Sequence, residues 1–365
     1  FTRPDDLAAH VIKHLVKSLP GLETKLIDDV IVGNAVPEAE QGMQMGRMIA
    51  LLALGKDVPG MVVNRYCGSG LETIAIASQR IQAGMADCII AGGAESMSMV
   101  PVMGFKTALN YSIAMDNPDY YTSMGITAEE VARQYSISRE EQDKFSFESH
   151  RKAAAAWKAS KFDDEVVPIS VQEIFVDEKM KKKSREFTVK TDEGIREDTS
   201  IEGLAKLKPV FAQGGTVTAG NSSQTSDGAA FVVVMSERLM KQLGLQPVAR
   251  LASYAVAGVE PRIMGIGPVA AVPKALKLAG LAQNQLDLIE LNEAFAAQAL
   301  AVMKELQFDP STVNVNGGSI AVGHPLGSTG ARLSVQLFNE LRRQKKKYGM
   351  VTACVGGGQG VAGIY

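Results

Sequence analysis

Two segments of the chain combine reactive side chains with runs of glycine. Residues 314–332 (NVNGGSIAVGHPLGSTGAR) contain His324, and residues 351–360 (VTACVGGGQG) contain Cys354. The chain has only four His and three Cys, so few other side chains can act as a base or a nucleophile. Glycines let backbone N–H groups approach a ligand closely, because no Cβ atom blocks them. With Cys67, which also lies beside glycines in VVNRYCGSGLE, these residues indicate acyl-transfer chemistry.

Cys67 precedes a segment with the pattern of a helix start. Ser69 and Glu72 have the spacing of a capping box in front of the apolar run LETIAIASQRIQ. A thiol at the N-terminus of a helix is stabilised as a thiolate, so the pattern predicts a lowered pKa for Cys67. The alternative is a cysteine buried only for packing, which we prefer for Cys88 inside DCIIAGG.

The surroundings of the second reactive pair also favour function over packing. His324 is followed by a proline and flanked by glycines, whereas a histidine of the core would lie on an apolar helix or strand face. Cys354 ends a β-type run and meets Gly356, whose N–H group is available to a developing oxyanion. The other histidines, His10, His14 and His150, lie in helical, charge-rich segments and are expected to be solvated.

Asn292 has two interpretations that the residues leave open. It follows the predicted strand LDLIEL and precedes the helical segment AFAAQALAVMKEL, where an asparagine can cap the helix. It can equally hold a catalytic water.

Composition excludes several classes of protein. The net charge of −2 gives no reason to expect a nucleic-acid partner or an anionic membrane surface. Three scattered cysteines without a C-x-x-C pair argue against a disulfide framework and against a zinc site. No apolar run approaches the ~20 residues of a membrane span. The given sequence begins with FTRPDDLAAH, which reads as the approach to a helix, so we expect a first strand to be missing. The sequence does not decide whether an organellar targeting peptide precedes it.

The two ends of the chain repeat one pattern. LIDDVIVGN (26–34) and QLDLIELNE (285–293) each predict an acidic turn that enters a buried strand. Each is followed by an extended apolar piece (60–70 and 312–318), a helix (71–83 and 330–343) and a further strand (87–95 and 349–358). The nearly constant offset indicates an internal duplication of a β-α-β unit.

The middle of the chain differs in composition from the two repeated parts. Residues 98–223 are richer in Met and charged residues and contain two predicted helix starts, at Thr127-x-x-Glu130 and Ser138-x-x-Glu141. Residues 171–200 are strongly charged and expected to be exposed, with KMKKK (179–183) as a solvated face. We therefore predict an N-terminal half at 1–97 with 224–247, an inserted domain at 98–223, and a C-terminal half at 248–365.

These motifs together resemble the thiolase family. The resemblance is carried by NRYCGSGLETIAIASQRIQAG with GGAESMSMVP, by NVNGGSIAVGHPLGSTG and by CVGGGQG, with NEAFAAQ and GTVTAGNSSQTSDGAA between them. It covers essentially the whole chain. It implies an α/β fold of duplicated five-layered α-β-α-β-α architecture with an inserted loop domain. It also implies coenzyme A and acyl-CoA as substrates without a bound cofactor or metal, and a cytoplasmic homodimer or homotetramer or a place in a β-oxidation multienzyme complex.

The resemblance implies a role for each reactive residue. Cys67 matches the nucleophile that becomes S-acylated, and His324 matches the base that takes its proton and then helps to bind the thioester oxygen. Cys354 matches the thiol that moves a proton to or from the α-carbon of acetyl-CoA. Asn292 matches the residue that holds an oxyanion-binding water, and the N–H groups of Cys67 and Gly356 match a second oxyanion hole. Coenzyme A and substrate contacts are implied for Arg196, Ser223, Met124, Phe211, Ala219 and Phe295.

Two positions distinguish the branches of the family. The acetoacetyl-type branch usually carries His-Met-Gly where this chain has Ser123-Met124-Gly125, and isoleucine where it has Leu326. Both differences favour a 3-ketoacyl-CoA thiolase (acetyl-CoA C-acyltransferase) of fatty-acid β-oxidation, with acetyl-CoA acetyltransferase as the alternative. A ketoacyl synthase would need a second catalytic histidine near Asn292. Two alternatives belong to other functional classes: the protein is a redox switch that acts through Cys67 and Cys354, or it is a non-catalytic acyl-CoA binder.

Overall fold

Two four-stranded β-sheets form the centre of the computed structural model, which describes residues 2–365. The first sheet has the order β2-β1-β3-β6 and the second has the order β7-β10-β9-β8, while β4 and β5 form a separate hairpin. The strands are β1 (Asp29–Gly33), β2 (Gly60–Val63), β3 (Cys88–Ser96), β4 (Ile169–Val176), β5 (Lys182–Val189), β6 (Asp227–Met235), β7 (Ser253–Gly258), β8 (Leu288–Leu291), β9 (Gly349–Val355) and β10 (Gln359–Ile364).

Helices cover both sheets and build most of the middle segment. They are α1 (Pro4–Ser18), α2 (Met45–Ala53), α3 (Ser69–Gln82), α4 (Tyr111–Asp116), α5 (Met124–Gln134), α6 (Arg139–Lys158), α7 (Ile201–Ala205), α8 (Glu237–Gln242), α9 (Gly267–Ala279), α10 (Ala296–Leu306), α11 (Ser319–Val322) and α12 (Leu326–Gln344). None of these helices, within residues 2–365, is long and apolar enough to cross a membrane.

The two sheets repeat one topology. In the first, β1 runs parallel to β2 and β3, and β3 pairs antiparallel with β6. In the second, β8 runs parallel to β9, and β9 pairs antiparallel with β10. The predicted extended piece at 312–318 forms only a single parallel bridge, between Ile289 and Val313, where the first half has the whole strand β2. The duplication predicted from the sequence is therefore confirmed.

The strands are buried on both faces because helices lie on either side of each sheet. In β1, Ile31 packs toward α3 and α12, whereas Val30 and Val32 pack toward α1 and α2. The second sheet is covered on its outer face by α9 and α10. The layers are thus α1 and α2, the first sheet, α3 with α12, the second sheet, and α9 with α10. This is the predicted five-layered α-β-α-β-α architecture.

Glycines bring the start of α12 into direct contact with the first half. A Cβ atom added to Gly93 on β3 would lie 2.0 Å from the carbonyl oxygen of Gly327, closer than real Cβ contacts allow. A Cβ atom added to Gly330 would lie 2.3 Å from the backbone nitrogen of Leu71 on α3. Backbone therefore rests on backbone where the two halves meet.

The middle segment contains α4 to α7 and the β4–β5 hairpin. The helix start predicted at Ser138 is confirmed, because its side chain accepts a hydrogen bond from Glu141 N–H and the Glu141 carboxylate accepts one from Ser138 N–H. The start predicted at Thr127 is wrong, because α5 already begins at Met124 and the Thr127 hydroxyl donates to the Met124 carbonyl at 2.7 Å. Strands β4 and β5 are mostly exposed, in agreement with the charged stretch. The proposed domain boundaries stay predictions.

Candidate active site

Cys67 lies in a tight turn between β2 and α3. The preceding residue, Tyr66, has a φ of +41°, a left-handed conformation that is uncommon for a residue with a side chain. The Ser69 hydroxyl braces this turn, since it accepts from Arg65 N–H at 2.8 Å and donates to the Tyr66 carbonyl at 2.7 Å. The capping box predicted for Ser69 and Glu72 is absent from α3, because Gly68 is the cap residue and Glu72 bonds to Arg65.

The surroundings of the Cys67 thiol oppose ionisation. The residue is 5% exposed and packs in an apolar cluster with Ala35, Val36, Val100 and Leu326. Burial raises the pKa of Cys67 to about 12, although the N–H groups of Gly356 and of Cys67 itself favour the thiolate. The predicted lowering of this pKa is therefore wrong. The resting residue is a neutral thiol, so it must lose its proton as it attacks.

Gly356 approaches the Cys67 sulfur from the other half of the molecule. It begins the turn between β9 and β10, in which Gly357 and Gly358 have φ values of +76° and +83° that favour glycine. This turn brings the Gly356 N–H, like the N–H of Cys67 itself, close enough to the Cys67 sulfur to favour the thiolate. Two backbone donors, one from each half, therefore converge beside the sulfur.

Cys354 is the last residue but one of β9 and is fully buried. Burial raises the pKa of Cys354 well above that of a free thiol, and the nearby Cys67 raises it further. The two thiols are therefore neighbours, and both are protonated at neutral pH. Cys354 also belongs to an apolar cluster that includes Met264, Phe295 and, at its edge, Met124.

His324 lies between α11 and α12, and hydrogen bonds hold both ring nitrogens. Its Nδ1 is 2.7 Å from the Thr329 hydroxyl and its Nε2 is 3.2 Å from Nδ2 of Asn292. Burial lowers the pKa of His324 to about 3, and the charge of Arg332 acts in the same direction. The resting imidazole is thus neutral.

Asn292 belongs to this site and does not cap the following helix. Helix α10 begins only at Ala296, with Phe295 as its cap residue. The Asn292 Oδ1 accepts from the Ser319 hydroxyl at 2.6 Å, and this hydroxyl accepts from Nη2 of Arg332 at 2.8 Å. Since the Ser319 proton is given to Oδ1, the Asn292 amide faces His324 with its N–H, and Nε2 of His324 is the acceptor. The imidazole is therefore set up as a base at Nε2.

Residues of the middle segment form an apolar wall next to Cys354. Phe211 packs edge-on against Phe295, with ring centroids 6.0 Å apart. Met124 starts α5 close to the Gly356 turn. The N–H of Ser223 donates to the Ala294 carbonyl at 2.9 Å, whereas Ala219 is exposed. The structure brings Met124, Phe211 and Phe295 together, with Ala219 and Ser223 on the adjoining segment.

Arg196 lies apart from the thiols, at a cavity of about 380 Å³. The cavity is also lined by His150, Arg151 and Lys158. His150 is 5% exposed, and its Nδ1 accepts from the Arg196 N–H at 3.2 Å. Burial and, to a smaller extent, the charge of Arg196 lower the pKa of His150 to about 4. The prediction that His150 is solvated is therefore wrong, because α6 turns this residue inward.

Sequence analysis missed a buried carboxylate that joins the halves. Glu95, at the end of β3, is 1% exposed and accepts N–H bonds from Ala35 at 2.7 Å and from Gly327 at 2.9 Å. Burial raises the pKa of Glu95, while these hydrogen bonds oppose that shift. Glu95 fixes the start of α12 beside the Cys67 cluster. Its only sequence signal is an acidic residue ending an otherwise apolar strand.

Comparisons with known proteins agree with this arrangement. The family model described as Thiolase, N-terminal domain matches residues 2–238, and Thiolase, C-terminal domain matches residues 245–365. The chain is 52% identical to the 3-ketoacyl-CoA thiolase of Bacillus subtilis over 364 residues, covering 100% of this chain and 93% of the relative. It is 46% identical to the acetyl-CoA acetyltransferase of Pseudomonas aeruginosa, covering 98% and 92%.

A solved structure gives the same result. The crystal structure of the Bacillus anthracis acetyl-CoA acetyltransferase superposes with a TM-score of 0.88 at 40% sequence identity, covering 100% of this chain and 93% of the other. The family models together span nearly the whole chain, and the fold and the sequence comparisons agree. The chain belongs to the thiolase family.

Proposed function

We propose that this protein is a 3-ketoacyl-CoA thiolase, which cleaves 3-ketoacyl-CoA with coenzyme A to acetyl-CoA and a shortened acyl-CoA. The arrangement that carries the proposal has three parts: the Cys67 and Cys354 thiols are neighbours, two backbone N–H groups lie beside the Cys67 sulfur, and the neutral His324 imidazole lies two residues from Leu326, which packs against Cys67. Acyl transfer through a covalent thioester needs a nucleophile, a base for it and a separate acid for the leaving carbon. Cys67, His324 and Cys354 supply these three functions.

The first half-reaction forms the acyl-enzyme. Nε2 of His324 takes the proton of Cys67 while the sulfur attacks the 3-keto carbon. The resulting alkoxide accepts hydrogen bonds from the N–H groups of Cys67 and Gly356. The C2–C3 bond then breaks, and its electron pair forms the enolate of acetyl-CoA, whose oxygen is stabilised by His324 and by a water held by Asn292. Cys354 gives its proton to C2, so acetyl-CoA leaves and Cys354 becomes a thiolate.

The second half-reaction releases the shortened product. The Cys354 thiolate takes the proton of the incoming coenzyme A thiol, whose sulfur attacks the acyl group on Cys67. The same two N–H groups serve the second tetrahedral adduct. When this adduct collapses, the Cys67 sulfur leaves and regains its proton from His324. Each residue returns to its starting state, and no cofactor is consumed.

The apolar surroundings support a substrate longer than acetoacetyl-CoA. Leu326 packs in the cluster around Cys67, and Met124 and Phe295 lie beside Cys354. Ser123, a small residue, precedes Met124 at the start of α5. A wall of this kind favours an alkyl chain, each CH2 of which contributes ~0.8 kcal/mol when buried.

We propose that coenzyme A lies along the cavity at Arg196 and the segment around Ser223. Three cations line this cavity, but Arg151 pairs with Glu148 and Lys158 pairs with Glu197, which also lines it. Arg196 is therefore the cation that we expect to meet a phosphate group. His150 provides a buried, neutral ring at its base. Arg196 is exposed and free to turn toward an incoming ligand.

Two measurements test the proposal. Intact-mass analysis after addition of acetyl-CoA should show an acetyl adduct that the Cys67→Ala variant lacks, whereas a non-catalytic binder or a redox switch would show none. Thiolysis rates on C4 and C10 3-ketoacyl-CoA then separate the branches. Activity confined to C4 would favour acetyl-CoA acetyltransferase, the name carried by the Pseudomonas aeruginosa relative.

We also propose a homodimer or homotetramer. Strand β2 is the edge of the first sheet, and α2 beside it exposes Leu51 and Leu52. Met43, in the preceding loop, is 90% exposed. Exposed apolar side chains next to an open strand edge are typical of an association surface. Light scattering coupled to size exclusion tests this, and a monomeric mass would contradict it. Membership of a β-oxidation multienzyme complex stays a prediction.

A further inference from the structure

The turn that carries Cys67 is tied to the turn that carries Gly356 by side chains. Arg65, two residues before Cys67, donates from Nη1 to Oε1 of Gln359 at 2.9 Å. Gln359 in turn directs its Nε2 to the Gly356 carbonyl at 3.4 Å. Arg65 comes from the first half and Gln359 from the second. The contact therefore spans the junction at which the two N–H donors converge.

A second set of bonds fixes the Arg65 guanidinium itself. Its Nε donates to Oε2 of Glu72 on α3 at 2.5 Å. The same oxygen accepts from the Tyr254 hydroxyl on β7 at 2.5 Å. Because Arg65 and Glu72 are largely withdrawn from water, with side-chain exposures of 30% and 15%, this pair is less screened than a surface ion pair. Arg65 is thereby fixed by Glu72 of its own half and, through the shared carboxylate oxygen, by Tyr254 of the second half.

The backbone beside this network needs such support. Tyr66 is left-handed, a strained conformation that persists only where the surroundings impose it. The Gly356 turn contains two left-handed glycines and has few side chains of its own to hold it. Two N–H groups on separate flexible turns can stabilise one oxygen only if their spacing is fixed.

We propose that Arg65 and Gln359 are positioning residues that set the spacing of the Cys67 and Gly356 N–H groups. This inference rests on the proposed function, since it concerns the oxyanion formed when the Cys67 sulfur meets a carbonyl. Neither side chain contacts the reacting atoms. They act through the two turns, so their loss should weaken steps in which an oxyanion forms more than it weakens ionisation of the Cys67 thiol, because sulfur is the weaker acceptor for the same N–H groups.

The test compares two reactions of the same sulfur. Acetylation by acetyl-CoA passes through a tetrahedral oxyanion, whereas alkylation by iodoacetamide is a displacement without one. Both rates are read at Cys67 by mass spectrometry in wild type, Gln359→Met and Arg65→Met. The matched control is Gln283→Met, because Gln283 is a partly buried glutamine that bonds to the Leu306 carbonyl, far from the thiols.

The expected result is selective. Gln359→Met and Arg65→Met should slow acetylation about tenfold, less than the ~10²–10³ for losing a whole oxyanion donor. Alkylation should change less than threefold, and Gln283→Met should change neither rate. The double variant should be no slower than the slower single one, because both residues act through one contact.

Three outcomes would overturn the inference. Equal slowing of both reactions would indicate general disruption of the turn, and unchanged acetylation would indicate that the contact is irrelevant. Multiplied effects in the double variant would show that the two residues act independently. If Arg65→Met does not fold, Arg65→Lys keeps the charge but loses the two-pronged geometry, and the same selective slowing is expected. Wild type that forms no acetyl adduct would instead remove the proposed function, and this inference with it.

Discussion

The substitution Gly93→Ala, which adds a single methyl group, should push the start of α12 in the second half away from β3 in the first half. In Gly93→Ala the new Cβ atom would lie 2.0 Å from the carbonyl oxygen and 2.5 Å from the carbonyl carbon of Gly327. Contacts below 3.0 Å do not occur at real Cβ atoms, so the start of α12 must move by at least about 1 Å. His324 and the Thr329 that holds it lie on either side of Gly327.

The displacement predicts the size of the effect. A shift of about 1 Å at a catalytic group costs ~10²-fold in rate, and overpacking a dense core costs about 1–3 kcal/mol of stability. We therefore expect kcat/KM for thiolysis to fall about a hundredfold while the protein still folds. The assay follows CoA-dependent loss of a 3-ketoacyl-CoA, with thermal unfolding measured on the same samples.

The control is a glycine of the other sheet. Gly258, at the end of β7, has the nearest non-neighbouring atom 3.9 Å from the position of an added Cβ. Gly258→Ala should therefore keep kcat/KM within threefold of wild type. If Gly93→Ala is equally active, the close approach of the two backbones does not position His324, and the reasoning is refuted.

Three further predictions follow from the site. Asn292→Ala removes the N–H that faces Nε2 of His324, so kcat should fall about 10- to 100-fold, and a loss below threefold would contradict its placement. The buried Ser319 hydroxyl also loses its acceptor, so the temperature of thermal unfolding should fall as well. In the folded protein the pKa values of His150 and His324 are lowered to about 4 and about 3. As pH falls below about 6.5, these histidines therefore bind protons in the unfolded chain before they do so in the folded protein, and the folded protein loses stability. The free energy of unfolding, measured by urea titration, should drop between pH 7 and pH 5 by roughly 2 kcal/mol for each histidine, and His150→Gln should lose less. The buried Cys88 thiol has the opposite pH dependence, because its pKa is raised to about 12 in the folded protein. The free energy of unfolding should therefore fall above pH ~8.5, by roughly 1 kcal/mol at pH 9.5. Cys88→Ala should reduce that loss.

The repeated core was predictable because its signals are local. Strands such as β1 and β3 are short apolar runs bounded by turn residues, and burial on both faces explains their lack of alternation. Ser138 caps α6 because its capping partner Glu141 is near in sequence and meets no competitor. The spacing of the glycine-rich segments also indicated which reactive residues would share a site.

The errors arose where distant residues override a local pattern. Glu72 has capping-box spacing, but it binds Arg65 and Tyr254 instead, and Tyr254 lies on a strand of the other half. The N-terminus of α3 alone would favour the Cys67 thiolate, yet burial against Val36, Val100 and Leu326, which come from distant parts of the chain, raises the pKa. His150 was misplaced for the same reason, since its partner Arg196 comes from a separate loop. Burial of a charge depends on the assembled molecule, which no short window of sequence contains.

The position of α12 in the layers has a consequence for synthesis of the chain. This helix packs against β3, β6 and α3 of the first half, yet it is encoded near the C-terminus. After β6 has emerged from the ribosome, roughly 110 further residues must be translated before the whole of α12 can dock, which takes on the order of 5–20 s at usual rates. During that interval the inner face of the first sheet lacks half of its cover. The nascent chain therefore presents an apolar surface to chaperones for seconds, and the active site exists only once translation is nearly complete.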